Sequence, residues 1–184
     1  MCRLILFQQG ATKWEKEGRL RGRLDVPLSP QGVAAVTESA REISALAPQV
    51  IYYGPDRAAE QTAQVLAEYT SASVRRLDAL TEMGLGLWEG LLVEEVKQRH
   101  PRVYRQWQDD PERVAPPEGE TLSQVLERAR RTVEKICGRH RRDTVVAVAP
   151  PLFEAVLRSL LGKEDVAGLM RGTVVGAHWR LYEV

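Results

Sequence analysis

The stretch Thr144-Val-Val-Ala-Val-Ala149 is apolar at every position after its first residue. Strand side chains alternate between the two faces of a sheet, so a strand without polar positions needs cover on both sides, as in a parallel sheet flanked by helices. The rest of the chain fits that requirement. Arg3 to Phe7 is a short apolar run entering a polar loop at Gln8-Gln9-Gly10, and Val50 to Tyr53 precedes Gly54-Pro55. Ser73 to Arg76 supplies a short third strand and Val174 to Val184 a last one. Helices are predicted between them. Ser29 and Pro30 form an N-cap and first helical position ahead of Val33, Val36, Ala40, Ile43 and Leu46. Ala59, Thr62, Val65, Leu66 and Tyr69 mark a second helix, Thr121 to Gln124 has the form of a capping box opening a long third, and Leu152 to Leu161 follows the apolar strand.

Strands alternating with helices predict an α/β fold, a three-layer α/β/α sandwich with a mostly parallel central sheet and ligands beyond the carboxyl ends of its strands. The 184 residues suit one domain, with a small helical insertion at about 91–120 that breaks at Pro101. Lys and Arg number 26 against 25 Asp and Glu, so no whole-molecule field favours nucleic acid or an anionic membrane. Any anion site must be local. Cys2 and Cys137 have no metal-ligand spacing and suit a reducing compartment, so the expectation is no metal, no cofactor and a cytoplasmic location. No stretch near the N-terminus is long enough for a signal-peptide core or a membrane span.

The three predicted carboxyl ends, at Gln8-Gln9-Gly10, Tyr53-Gly54-Pro55 and Ala149-Pro150-Pro151, resemble, together with Glu82, the active-site corners of the histidine phosphatase superfamily, in its phosphoglycerate mutase-like branch. Where that family reads Arg-His-Gly-Glu-Thr-x-Trp-Asn, this chain has Gln8-Gln9-Gly10-Ala11-Thr12-Lys13-Trp14-Glu15. The segment from Gly18 to Gly32 matches the following loop closely, and Gln61-Thr62-Ala63 aligns a third motif in which the family's phosphate-binding arginine falls on Ala58. Leu80 to Gly90 resembles the segment that carries the proton-donating glutamate, here Glu82, and Pro117 to Thr121 resembles the Pro-x-Gly-Glu-Ser turn. The second family histidine falls on Ala149. Six matches in order make chance resemblance unlikely.

The resemblance implies a phosphoglycerate mutase-like fold and a reaction through a phosphohistidine at the position of Gln9. An amide cannot supply that nucleophile, because its nitrogen lone pair is delocalised. Gln8 and Ala58 stand where two arginines would clamp phosphate, a loss of about 10²–10⁴ in binding at roughly 1.5–3 kcal/mol each. Ala149 removes the other imidazole, and Pro150 a backbone N–H. The expectation is therefore a degenerate family member, a pseudo-phosphatase and not an enzyme, that binds an unidentified protein partner or a small non-phosphate ligand, with a homodimer left open. The alternative is a phosphomonoesterase or other hydrolase with a remodelled site using Glu82. Candidate ligand-binding residues are Gln8, Gln9, Thr12, Arg21, Gly22 and Glu82, with no intact catalytic set. Arg21 and Arg57 are the remaining cations near the mouth, and His100, His140, His178 and Cys137 are expected to be surface or structural residues.

Overall fold

A computed structural model describes residues 1–172 and 176–184. Five strands, β1 (Arg3–Gln8), β2 (Val50–Tyr53), β3 (Ser73–Arg76), β4 (Thr144–Ala149) and β5 (Trp179–Glu183), form one sheet in the order β3-β2-β4-β1-β5. The first four run parallel and β5 lies antiparallel along β1. β4 is central, and all six of its residues are buried, which is why its sequence has no polar face.

Helices cover both sides. Ile5, Phe7, Ile51, Val146 and Val148 pack under α2 (Pro30–Ser44) and α3 (Arg57–Tyr69). Leu4, Leu6, Tyr52, Val145 and Ala147 pack under α6 (Leu122–Arg139) and α7 (Pro151–Gly162). Burying such a side chain contributes about 1.5–3 kcal/mol, so the two clusters supply most of the drive for folding. Shorter helices surround the carboxyl end of the sheet: α1 (Lys13–Glu17), α4 (Val93–Arg99), α5 (Pro101–Asp109) and α8 (Val166–Arg171).

The sequence reading departs from this in detail. The predicted last strand, Val174 to Val184, is shorter, because β5 begins at Trp179 and His178 precedes it; positions 174 and 175 lie outside the described residues. The helix α1 was read as loop, although Thr12 and Glu15 form a capping box with both reciprocal bonds. The helix α8, capped by Asp165, was not anticipated. His140 is no surface residue. It is 8% exposed, and its ring bonds Tyr52 Oη at 2.9 Å and Asp143 at 2.8 Å. Cys137 packs beside the core, where burial pushes its thiol up to about 12. No described helix is long and apolar enough to cross a membrane.

Candidate active site

The parallel register sets Gln8 beside Ala149, and the next residue continues the pairing as Gln9 N–H donates to Ala149 O at 2.9 Å. Gly10 N–H donates to Thr62 Oγ1 at 3.0 Å, and the Thr62 hydroxyl donates to Ala58 O at 2.7 Å. A side chain at Gly10 would press on Val36 and the Gly32 carbonyl, so the loop after β1 can sit this close to α2 and α3 only as glycine. Gln8, Gln9, Ala58 and Ala149, scattered through the sequence, thus meet at the carboxyl end of the sheet. Each is at most 1% exposed.

Glu82 joins them from the loop after β3. Its Oε1 accepts N–H bonds from Met83 and Phe153 at 2.8 Å each, and its Oε2 one from Leu152 at 3.0 Å. Leu152 and Phe153 are in the first turn of α7, where helix N–H groups have no partner within the helix, so the carboxyl group serves as that helix's cap. Burial pushes the Glu82 carboxyl above the ordinary carboxylate range, outweighing the opposing pull of the Arg21 guanidinium and of the three N–H donors. Glu82 is both a loop-stabilising acceptor and a cavity-lining group.

Arg21 is the buried cation among the arginines that line the site. It is 6% exposed, bonded through Nη1 to Asp56 at 3.1 Å and paired through Nε with Glu15 at 3.8 Å. Its Nη2 has no hydrogen-bond partner, and neither atom of the Gln9 amide has one. Buried donors left unbonded are costly, and a bound anion would relieve that cost. Arg21 and Glu82 share a cavity of about 270 Å³, also lined by the polar Glu15, Arg19, Gln108 and Arg171 and by the apolar or aromatic Leu85, Val93, Tyr104, Trp107, Leu152 and Met170. Its size is close to the lower end for a small-molecule site. Gly22 has φ +53°, and a Cβ there would meet the Glu89 carboxylate at 2.4 Å.

Other sequence candidates lie elsewhere. The Thr12 hydroxyl is engaged with Glu15 and the Trp14 N–H in the α1 cap and does not line this cavity. The Arg57 backbone N–H donates to Asp25 at 2.7 Å, while His178 Nε2 lies 3.6 Å from the buried Glu154. Asp56 and Glu15, which hold Arg21, and Tyr104 and Trp107, which wall the cavity from α5, were missed. Asp56 was legible as a helix N-cap, but its bond to Arg21 spans 35 positions and has no local signature. Among the described residues no group of three or more His, Cys, Asp or Glu could hold a metal.

An α/β sandwich with a buried acid, a buried arginine and loop motifs at the carboxyl ends defines a phosphatase-like class of protein. Residues 4–174 match the histidine phosphatase superfamily (branch 1), and the chain belongs to that family. It is 34% identical over 163 residues, 88% of this chain and 77% of the relative, to phosphoserine phosphatase 1 of Hydrogenobacter thermophilus. The solved structure of a mycobacterial glucosyl-3-phosphoglycerate phosphatase complexed with VO3 superposes with a TM-score of 0.87 at 29% identity, covering 97% of this chain and 90% of that one. Bacillus stearothermophilus YhfR gives 0.92 at 26% identity, covering 100% and 92%.

These likenesses overturn two expectations drawn from the sequence, that the chain is a pseudo-phosphatase and that it is not an enzyme. The relatives that this chain follows over nearly its whole length are named phosphatases, which runs against both expectations. Those expectations rested on the four substituted positions, Gln8, Gln9, Ala58 and Ala149, while Glu82 and Arg21, already candidates from the sequence, are both buried in the structure.

Proposed function

We propose that the protein is a phosphomonoesterase with a remodelled active site, in which Glu82 is the general acid and Arg21 the phosphate-binding cation. The observation that carries this is a buried carboxyl group, raised by burial above its ordinary range, lining the same cavity as a buried guanidinium with an unbonded N–H. Phosphoryl transfer passes through a loose transition state, so positioning and electrostatics matter more than covalent assistance. Water can therefore take the place of a histidine nucleophile. Its oxygen forms the new P–O bond as the ester P–O bond breaks, the leaving oxygen takes the Glu82 proton, and the water proton ends on the phosphate. Ester and water become alcohol and inorganic phosphate, and Glu82 is reprotonated from solvent.

In this reading Gln9, at the family's nucleophile position and buried at the same end of the sheet, forms no phosphoenzyme. Phosphoserine and glucosyl-3-phosphoglycerate, named for the relatives, are the first substrates to try, followed by aryl and alkyl phosphates that suit the apolar wall at Tyr104 and Trp107. The test is release of inorganic phosphate across that panel, with radiolabelled substrate acid-quenched to trap any phosphohistidine. Turnover without a label on the protein is expected. A labelled histidine would refute direct attack by water.

A further inference from the structure

The strongest unexplained feature next to the cavity is Arg128, on α6. Its side chain is 17% exposed, and its guanidinium is directed at the loop that carries Glu82. Nη1 donates to Thr81 O at 2.6 Å and Ala79 O at 3.2 Å, and Nη2 reaches Glu82 O at 3.5 Å. The guanidinium carbon lies 4.4 Å from the centre of the Phe153 ring, and the backbone N–H of Phe153 is one of the donors to the Glu82 carboxyl group. Arg128 thus touches both supports of Glu82, the loop before it and the helix turn that binds its head.

The grip is shared. Glu120 accepts from Arg128 Nη2 and from Gly84 N, each at 2.8 Å, and pairs with Arg23 at 2.9 Å. Arg23 Nε in turn donates to Glu82 O at 3.2 Å. Gly84 O accepts from Glu120 N at 2.8 Å, which fastens the turn at 117–120 to the same loop. Arg128 is kept in this partly dry place although burial lowers its basicity, against the pull of Glu120. A lysine or an apolar residue of similar length would fill the volume. Only a planar fork of fixed donors satisfies several carbonyls at once while lying flat on a ring.

We propose that Arg128 is a positioning residue for Glu82, holding the Ala79–Gly84 loop against α7 so that the Glu82 carboxyl group stays at the cavity wall. This rests on the reading of Glu82 as the general acid. Among the described residues, the charged groups beside Glu82 or lining its cavity are Glu15 and Arg19 at α1, Arg21 and Arg23 from the loop after it, Arg128 from α6, Glu120 from the turn before α6 and Arg171 at the end of α8.

The test uses the full-length protein labelled with ¹³C at the glutamate carboxyl carbons, with the Glu82 resonance identified by its loss in Glu82→Gln. Its titration is followed in wild type, Arg128→Lys and Arg128→Met, alongside kcat, KM and thermal unfolding. In Arg128→Met, which removes a cation and the loop's anchor, the Glu82 midpoint should rise by about one unit and kcat should fall about tenfold with KM nearly unchanged. Arg128→Lys restores the charge but not the fork, so it should recover the midpoint while leaving kcat partly reduced. An unmoved Glu82 midpoint in a folded Arg128→Met protein would overturn the proposal, as would loss of thermal stability with kcat unchanged. Should the methionine variant fail to fold, the lysine variant decides: equal kcat in it and wild type overturns the proposal. If wild type hydrolyses no phosphomonoester, the reading of Glu82 as general acid fails, while the NMR titration still reports whether Arg128 controls that group.

Discussion

Glu82 and Arg21 carry opposite burdens. The carboxyl group is raised by burial, so the folded protein binds its proton more tightly than the unfolded chain does. Its contribution to stability is therefore complete at low pH and is lost as pH rises from the unfolded value through the folded one. Glu82→Gln should lack this loss, so its stability deficit relative to wild type should shrink as pH rises, a difference that denaturant unfolding at several pH values measures. Catalysis should follow the same proton, with the wild-type rate falling on the alkaline side of the Glu82 midpoint. Arg21→Met should weaken inorganic phosphate binding by about 10- to 100-fold, from the loss of roughly 1.5–3 kcal/mol of charge-assisted bonding, as read by calorimetry. Unchanged phosphate affinity in that variant would move the anion site elsewhere.

The elements place these two residues through their ends. The side chain of Asp56 caps α3 at Ala59 N and also bonds Arg21, so one carboxylate both starts a helix and fixes the site's buried cation. Asp56→Asn should keep the cap and an acceptor for Arg21 but lose the charge of a largely buried ion pair. Asp56→Ala loses the cap, about 1 kcal/mol, and also leaves Arg21 with only the longer contact to Glu15. Thermal melting of the pair should separate them by a few degrees, since about 1 kcal/mol corresponds to 2–4 °C in a domain of this size. Equal melting temperatures in the two variants would mean that the side-chain oxygen retained in Asn contributes nothing as cap or acceptor. The strand-and-helix skeleton was legible because β4 has no polar position and α2, α3 and α6 carry caps and apolar stripes. Shorter pieces escaped. α1 is five residues without a buried side chain, so it has no apolar period to read, and only its capping box marked it.

For the molecule as a whole, the sequence motifs sufficed to gather Gln8, Gln9, Ala58, Glu82 and Ala149 at one end of a parallel sheet. They did not show how that end is wired. The bonds from Arg21 to Asp56, from Arg128 to the Glu82 loop and from Glu82 to α7 join residues 35 to 70 positions apart, and no local pattern encodes them. Glu82 and Arg21 were visible in the sequence, but the bonds that bury and hold them were not, so the four substituted positions carried the expectation of an inert protein. The most direct test compares release of inorganic phosphate by wild type and by Glu82→Gln, purified identically, on the best substrate of the phosphomonoester panel. Wild type should turn over, and the variant should be slower by about 10²–10⁴, the usual contribution of a general acid. Equal rates in the two proteins, or no hydrolysis by wild type of any ester tried, would contradict the assignment of Glu82 as the acid of a working phosphatase.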